Sequence, residues 1–97
     1  MQISVRFFTI LRETTGKKEE TLQFPKNTKV TVDSVLRKLA TQYGKNFTEY
    51  VYDPRSGEVK SFLQFFVNGK TASTLNGLQT ELCNGDLLAI VPPVGGG

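Results

Sequence analysis

The sequence predicts an α+β domain in which a mixed sheet packs on one main helix. Polar and apolar residues alternate near the start of the chain, one long amphipathic pattern follows, and two dense apolar runs come later. Strands on both sides of a single helix favour a sheet that covers this helix with one face. We therefore expect residues 1–97 to form one domain with one hydrophobic core.

The first two strands are predicted from alternation. From Ile3 to Phe7, every second residue is apolar, which is the period of a strand with one buried face. The alternation stops over residues 9–16, where a short helical turn closed by Gly16 is expected. It then returns and ends at Pro25, which marks the end of the second strand.

Residues 31–43 are predicted to form the main helix. Thr31 is a suitable N-cap and Gly44 is a suitable residue just beyond the C-terminus. The apolar residues recur with the helical period at Val32, Val35, Leu36, Leu39, Ala40 and Tyr43.

The second half of the sequence predicts a hairpin-like excursion, formed by two short strands and a turn, and then two more strands. Short strands at residues 50–52 and 58–60 are expected to flank a turn that contains Pro54 and Gly57. A strand over residues 62–67 follows and ends at the turn signal Asn-Gly.

The last apolar run, residues 87–91, follows Asn84-Gly85-Asp86 and stops at Pro92. Because it is nearly unbroken, we expect it to lie centrally in the sheet.

The chain ends in Val94-Gly95-Gly96-Gly97 after the stiff pair Pro92-Pro93. Glycine has no Cβ, so a glycine run can lie extended in a channel too narrow for side chains. Four residues beyond Pro93 reach at most about 13 to 14 Å. We expect residues 93–97 to be an extended, flexible tail that serves as a substrate; the alternative interpretation is a frayed terminus or a cloning remnant.

Composition excludes several kinds of site. The sequence has no histidine, and Cys83 is its only cysteine, which excludes an intramolecular disulfide and multi-cysteine metal sites. The lone Cys83 is expected to be buried or half-buried and to have no role. Five phenylalanines could form a partner surface or the core: Phe7, Phe8, Phe62, Phe65 and Phe66. Most of them should be in the core, and at most one or two should face a partner.

Charge and hydropathy indicate where the protein acts. The net charge is +3, but the basic residues are dispersed, which favours a solvated surface over a nucleic-acid-binding stripe. The N-terminus lacks the apolar segment of a signal peptide, and no run approaches a membrane helix. We expect a cytoplasmic protein that does not contact membranes.

Five motifs stand out along the chain: Val5-Arg6-Phe7-Phe8, Leu11-Arg12-Glu13 with Gly16, Val67-Asn68-Gly69, Asn84-Gly85-Asp86-Leu87 and Val91-Pro92-Pro93 with the terminal glycines. Together they resemble the ubiquitin-like sulfur carriers of the MoaD and ThiS type, which include molybdopterin-synthase small subunits and archaeal small modifier proteins. The resemblance covers the whole chain and implies a β-grasp fold.

The resemblance also implies a reaction at Gly97, with Gly96 beside it. An E1-like adenylating enzyme would use ATP and magnesium to activate the terminal carboxylate, and a sulfurtransferase would convert it to a thiocarboxylate. The chain itself would bind no cofactor and would be a carrier, not an enzyme, or the small subunit of a synthase. Residues that would dock the tail and its partners are Gly95, Val94, Pro93, Pro92, Val91 and Arg12.

The later partners differ among branches of the family. Sulfur would go to a pterin through a large molybdopterin-synthase subunit or to tRNA, or Gly97 would be joined to lysines of target proteins. Gly95 and Val91 depart from many pterin subunits, which frequently carry an aromatic residue at the position of Val91. The alternative is a small basic β-grasp module that binds RNA or protein without tail chemistry.

Overall fold

The structure is a computed structural model that describes residues 1–93, and its sheet has five strands within them. The strands are β1 (Gln2–Phe7), β2 (Glu19–Gln23), β3 (Gln64–Val67), β4 (Lys70–Thr71) and β5 (Leu87–Val91). Their order is β2-β1-β5-β3-β4. The β1–β5 pair is parallel and the other pairs are antiparallel, so the sheet is mixed. The prediction that the last strand is central is confirmed.

Within residues 1–93, three α-helices connect the strands: α1 (Ile10–Thr15), α2 (Val32–Tyr43) and α3 (Lys45–Val51). The predicted main helix is α2, and its start is fixed by Thr31. The Ser34 N–H donates to Thr31 Oγ1 at 3.2 Å, and the Thr31 N–H donates to Ser34 Oγ at 3.1 Å. This reciprocal capping pairs two of the N–H groups that a helix start leaves free.

The core lies between one face of the sheet and the helices. Alternate residues of β1 and β5 are fully buried on this face, and α2 packs four apolar side chains against them. These buried residues are Ile3, Val5, Phe7, Leu88 and Ile90 from the strands and Val32, Val35, Leu36 and Leu39 from α2. The sheet therefore covers the helix with one face, as predicted.

The predicted strand at residues 50–52 is wrong, because Tyr50 and Val51 end helix α3. Phe47 and Val51 lie four residues apart and are both fully buried, so burial at the helical period overrides the β-propensity of Tyr-Val-Tyr. The predicted strand at residues 58–60 is also wrong, since only Val59 makes an isolated bridge there, but the expected excursion is present. An antiparallel bridge between Tyr52 and Val59 closes it, and the Asp53 N–H donates to the Glu58 carbonyl oxygen at 2.8 Å.

One strand boundary and two burial predictions also need correction. The third strand begins at Gln64, and Phe62 precedes it with 43% of its surface exposed, so Phe62 belongs neither to the strand nor to the core. Phe7 and Phe65 are buried, but Phe8 and Phe66 are only half-buried, so two of the five phenylalanines lie in the core and the prediction that most do is wrong. Cys83 is exposed because it lies in the turn before β5.

The two turn motifs of the second half meet at the start of β5. Asn68 Nδ2 donates to Asp86 Oδ1 at 3.0 Å, and the Leu87 N–H donates to Asn68 Oδ1 at 2.9 Å. Asp86 Oδ2 accepts from the Cys83 N–H at 2.7 Å. Asn68 and Gly69 both have positive φ, 51° and 85°, as a tight hairpin turn requires. The motifs thus fix the beginning of the central strand.

Candidate functional site at the end of the central strand

The central strand carries the chain to the predicted tail. Along β5, Ile90 pairs with Phe7 of β1 on one side, and Val91 pairs with Gln64 of β3 on the other. Pro92 follows at once and is buried. Because proline has no N–H, it cannot continue the ladder, and the chain leaves the sheet there. We name this point the exit.

The predicted docking residues fall into two groups. Val91 and Pro93 are half-buried and lie with Pro92 at the exit. The residues from position 94 onward lie outside the described part of the chain. The roles predicted for Val94, Gly95, Gly96 and Gly97 therefore stay predictions.

Arg12 lies on the β1 side of the exit. Its Nε donates to the Phe7 carbonyl oxygen at 3.1 Å, and its guanidinium lies 5.5 Å from the centre of the Phe8 ring. Phe7 is the residue that pairs with Ile90, so Arg12 is held one strand away from the end of β5. The structure thus brings Arg12 and the exit residues together, and the docking role of Arg12 stays a prediction.

Four residues near the exit were missed as a group by the sequence analysis: Ile10, Tyr50, Lys60 and Phe62. Ile10 and Phe62 are each 43% exposed. The rings of Tyr50 and Phe62 lie 5.8 Å apart, and Lys60 Nζ lies within 6 Å of both ring centres. The exposure of Phe62 carried no sequence signal, because it precedes Leu63 and the apolar strand β3.

The sheet face opposite the helices carries a short apolar stripe. Ala89 and Val91 of β5 are half-buried on this face, and Phe66 of β3 is paired with Ala89. On the β1 side of the stripe, Arg6 Nη2 and Glu19 Oε1 form an ion pair at 3.0 Å. This face is therefore partly apolar and is bordered by polar groups.

Two further observations concern residues 1–93. No three acidic or cysteine side chains come together there as a metal site would need. None of the helices in this part of the chain has the length and apolar character to cross a bilayer.

The sheet order, the helix across one sheet face and the chain leaving from the central strand define a ubiquitin-like β-grasp protein. A model of the ThiS family matches residues 5–97. The chain therefore belongs to the ThiS family.

Individual relatives agree with this assignment. The chain is 34% identical to small archaeal modifier protein 3 of Haloferax volcanii over 97 residues, which cover all of both chains. It is 31% identical over 98 residues to the sulfur carrier protein CysO of Mycobacterium tuberculosis, again over all of both. The crystal structure of SAMP1 from Haloferax volcanii superposes with a TM-score of 0.84 at 25% identity and full coverage of both chains. The chain is accordingly a ubiquitin-like sulfur carrier or modifier.

Proposed function

We propose that the reactive group of this carrier is the carboxylate of Gly97. A terminal carboxylate has a pKa of about 3.3 to 3.7, so it is ionised at neutral pH and is a very poor acyl donor. Its oxygen attacks the α-phosphorus of ATP, pyrophosphate leaves, and the resulting acyl-adenylate is open to attack by a sulfur nucleophile, which displaces AMP. ATP and magnesium are held by the E1-like activating enzyme, and a sulfurtransferase supplies the sulfur.

The position of β5 is the observation that carries this proposal. The strand has paired neighbours on both sides up to Ile90 and on the β3 side up to Val91, so the start of the tail is held by the central strand of the sheet. A tail of four residues after Pro93 reaches about 13 to 14 Å, enough to enter the active site of another protein. The family match includes these last residues and supports the same conclusion.

For the fate of the activated tail, we favour a carrier that also modifies proteins, with lysine side chains as acceptors. The alignment with small archaeal modifier protein 3 spans both chains completely. The half-buried Val91 stands where pterin subunits frequently have an aromatic residue, which makes a large molybdopterin-synthase subunit a weaker candidate partner. The apolar stripe of Phe66, Ala89 and Val91 offers a contact surface to the proteins that would take part in this modification.

The test begins with the intact mass of the protein purified from its native host. We expect a gain that matches the replacement of one oxygen by sulfur, or Gly97-linked adducts on other proteins. Both signals should disappear when Gly97 is deleted. A matched control adds one glycine after Gly97, which keeps the composition of the tail and moves the carboxylate by about 3.3 to 3.6 Å.

The second arm uses the purified activating enzyme of the host with ATP and magnesium. Wild-type protein should form the adenylate. The variants with Gly97 deleted or with one glycine added should remain folded and should form little or no adenylate. Unmodified mass together with no adenylate would refute the proposal.

The alternative of an RNA-binding module makes a different prediction, namely salt-dependent binding that survives deletion of Gly97. The charges of the described residues favour it less. Several basic side chains are already paired with carboxylates: Arg6 with Glu19, Lys17 with Glu20, Arg37 with Asp33, and Lys45 with Glu49.

A further inference from the structure

A patch of partly apolar surface lies next to the exit, and we call it the exit patch. It consists of the exposed Ile10 and Phe62 and the half-buried Tyr50 and Lys60. Ile10 and Phe62 are two of the large apolar side chains that the described residues leave strongly exposed, at 43% each. Apolar residues that are exposed singly need no explanation, but a contiguous group of them marks an interaction surface.

The members of the exit patch are contiguous. An open groove of about 300 Å³ is lined by Ile10, Tyr50 and Lys60, and it joins α1 to α3. The Phe62 ring lies against Tyr50 with 5.8 Å between ring centres. Lys60 Nζ lies 5.7 Å from the Phe62 ring centre and 5.9 Å from that of Tyr50.

The patch is also held in a fixed arrangement. Lys60 Nζ donates a hydrogen bond to the Glu49 carbonyl oxygen at 2.8 Å, which keeps the ammonium group over the two rings. On the other side, Thr9 has a positive φ of 51°, and this turn leaves Ile10 exposed while Leu11 is fully buried. A surface that is ordered before binding loses less entropy when a partner covers it.

The strand register places the patch beside the tail. Phe62 stands two residues before Gln64, which pairs with Val91 at the end of β5. Ile10 stands three residues after Phe7, which pairs with Ile90. Ile10 therefore follows the end of β1 and Phe62 precedes the start of β3, so the two exposed side chains lie beyond the ends of the two strands that flank β5, on the side where the chain leaves the sheet.

The exit patch is separate from the apolar stripe of Phe66, Ala89 and Val91. It is built from α1, α3 and the segment before β3, which belong to the helical layer and its edge. A partner that lies flat on the open sheet face would leave the exit patch uncovered. A partner that approaches the exit end-on would cover it.

We propose that the exit patch docks the rim of the activating enzyme's active site, an inference that rests on the proposed function. The tail reaches only about 13 to 14 Å beyond Pro93, so any enzyme that holds the Gly97 carboxylate must bring its surface against the exit. We infer an apolar side chain of the enzyme between Ile10 and Phe62 and a carboxylate of the enzyme at Lys60. Arg12, on the β1 side of the exit, adds a second positive charge toward the same acidic rim.

The experiment measures adenylate-dependent pyrophosphate release by the host's activating enzyme as a function of carrier concentration. Phe62→Ala and Ile10→Ala should each raise KM for the carrier about tenfold, the size expected for a buried apolar anchor, with kcat changed less than twofold. Lys60→Glu should raise KM at least as much, and the effect should shrink at high salt.

Leu75→Ala is the matched control, because Leu75 is 49% exposed, follows β4 at the edge of the sheet and is not part of the exit patch. It should leave both constants unchanged. Phe62→Leu should recover most of the affinity lost in Phe62→Ala, since it restores apolar volume without changing charge. Circular dichroism and thermal unfolding establish that each variant is folded.

The outcomes separate this inference from the proposed function. If the wild type is adenylated and the three patch variants match it, or if Leu75→Ala loses as much as they do, the exit patch is not the docking surface. If the wild type is not adenylated, the proposed function fails. Calorimetric binding of the carrier to the same enzyme without ATP then tests the docking role of the exit patch. Weaker binding of the three patch variants than of the wild type and Leu75→Ala supports this role. Equal binding of all variants, or no binding of the wild type, overturns it.

Discussion

Replacing Glu20 with glutamine perturbs a carboxylate that joins β2 to the end of α2. Its side chain is only 10% exposed. Tyr43 Oη donates to Glu20 Oε2 at 2.6 Å, Lys17 Nζ lies 2.7 Å from the same oxygen, and Gln42 donates to Oε1. We therefore expect the ionised carboxylate to stabilise the fold and not only to be tolerated in it.

The magnitude follows from these contacts. A hydrogen bond to a charged group contributes about 1.5 to 3 kcal/mol net. Glutamine keeps one acceptor oxygen and the size of the side chain, but it removes the charge and turns one acceptor into a donor. We expect Glu20→Gln to lower the free energy of unfolding by about 1.5 to 3 kcal/mol at pH 7.

The pH dependence gives the prediction its second half. Burial raises the pKa of Glu20, but the hydrogen bonds from Lys17, Tyr43 and Gln42 together outweigh burial and lower the pKa below its ordinary value of 4.5. A lowered pKa in the folded state stabilises the fold above the unfolded pKa, and this contribution is lost as the pH falls through the folded value. The free energies of unfolding of the wild type and of Glu20→Gln should therefore converge as the pH falls below 4.5, the ordinary pKa of a glutamate.

The assay is urea unfolding followed by circular dichroism, from pH 7 into acid. Glu19→Gln is the matched control, because Glu19 is the preceding residue of the same strand and is 46% exposed in its pair with Arg6. An exposed pair of this kind contributes about 0 to 1 kcal/mol. If Glu20→Gln costs no more than Glu19→Gln, or if its cost at pH 7 persists unchanged in acid, the reasoning is wrong.

Three further predictions concern single side chains. Burial and the hydrogen bond to Glu20 raise the pKa of Tyr43 above its ordinary value of 10.0. The protonated Tyr43 hydroxyl therefore stabilises the fold fully below about pH 10, and this stabilisation is lost as the pH rises through the folded-state pKa. Tyr43→Phe should reduce the loss of unfolding free energy that urea titrations measure in alkali. Tyr52 has a buried hydroxyl with no hydrogen-bond partner in residues 1–93, so Tyr52→Phe should leave thermal stability equal or raise it by about 1 kcal/mol. Asp86→Ala leaves the Cys83 N–H and Asn68 Nδ2 without their acceptor and should cost about 1.5 to 3 kcal/mol in urea unfolding. Asp53→Ala is the comparison, because within the described residues the half-buried Asp53 side chain accepts only from Arg55 and Ser56 in its own turn and has no bond to β5 or its flanking turns; it should cost less.

The elements that were predicted correctly are those whose pattern is long or sharply bounded. Helix α2 shows the helical period over three turns and has Thr31 as its cap, while β5 is an apolar run between a glycine turn and a proline. Helix α3 was missed because its seven residues contain a short β-prone sequence, and the burial of Phe47 and Val51 decides its form only in the folded chain.

The candidate site was predictable only in part, for the same reason. The exit residues Val91 to Pro93 follow from local sequence, and so does the glycine pattern of the tail. The exit patch depends on contacts across the fold, since Ile10 and Tyr50 share one groove although they are 40 positions apart in the sequence. The link between Asn68 and Asp86 is likewise invisible until the hairpin and the last turn are placed side by side.

The parallel pairing of β1 with β5 has a mechanical consequence for a carrier that is joined to a target through its tail. A pull on the end of β5 runs along the strand, while its hydrogen bonds to β1 and β3 lie across this direction. The bonds are therefore loaded in shear and must break together, whereas a strand peeled from a sheet edge loses them one at a time. A force-generating machine that pulls on the joined target would meet its greatest resistance at this strand, and the carrier would remain folded longer than its modest size suggests.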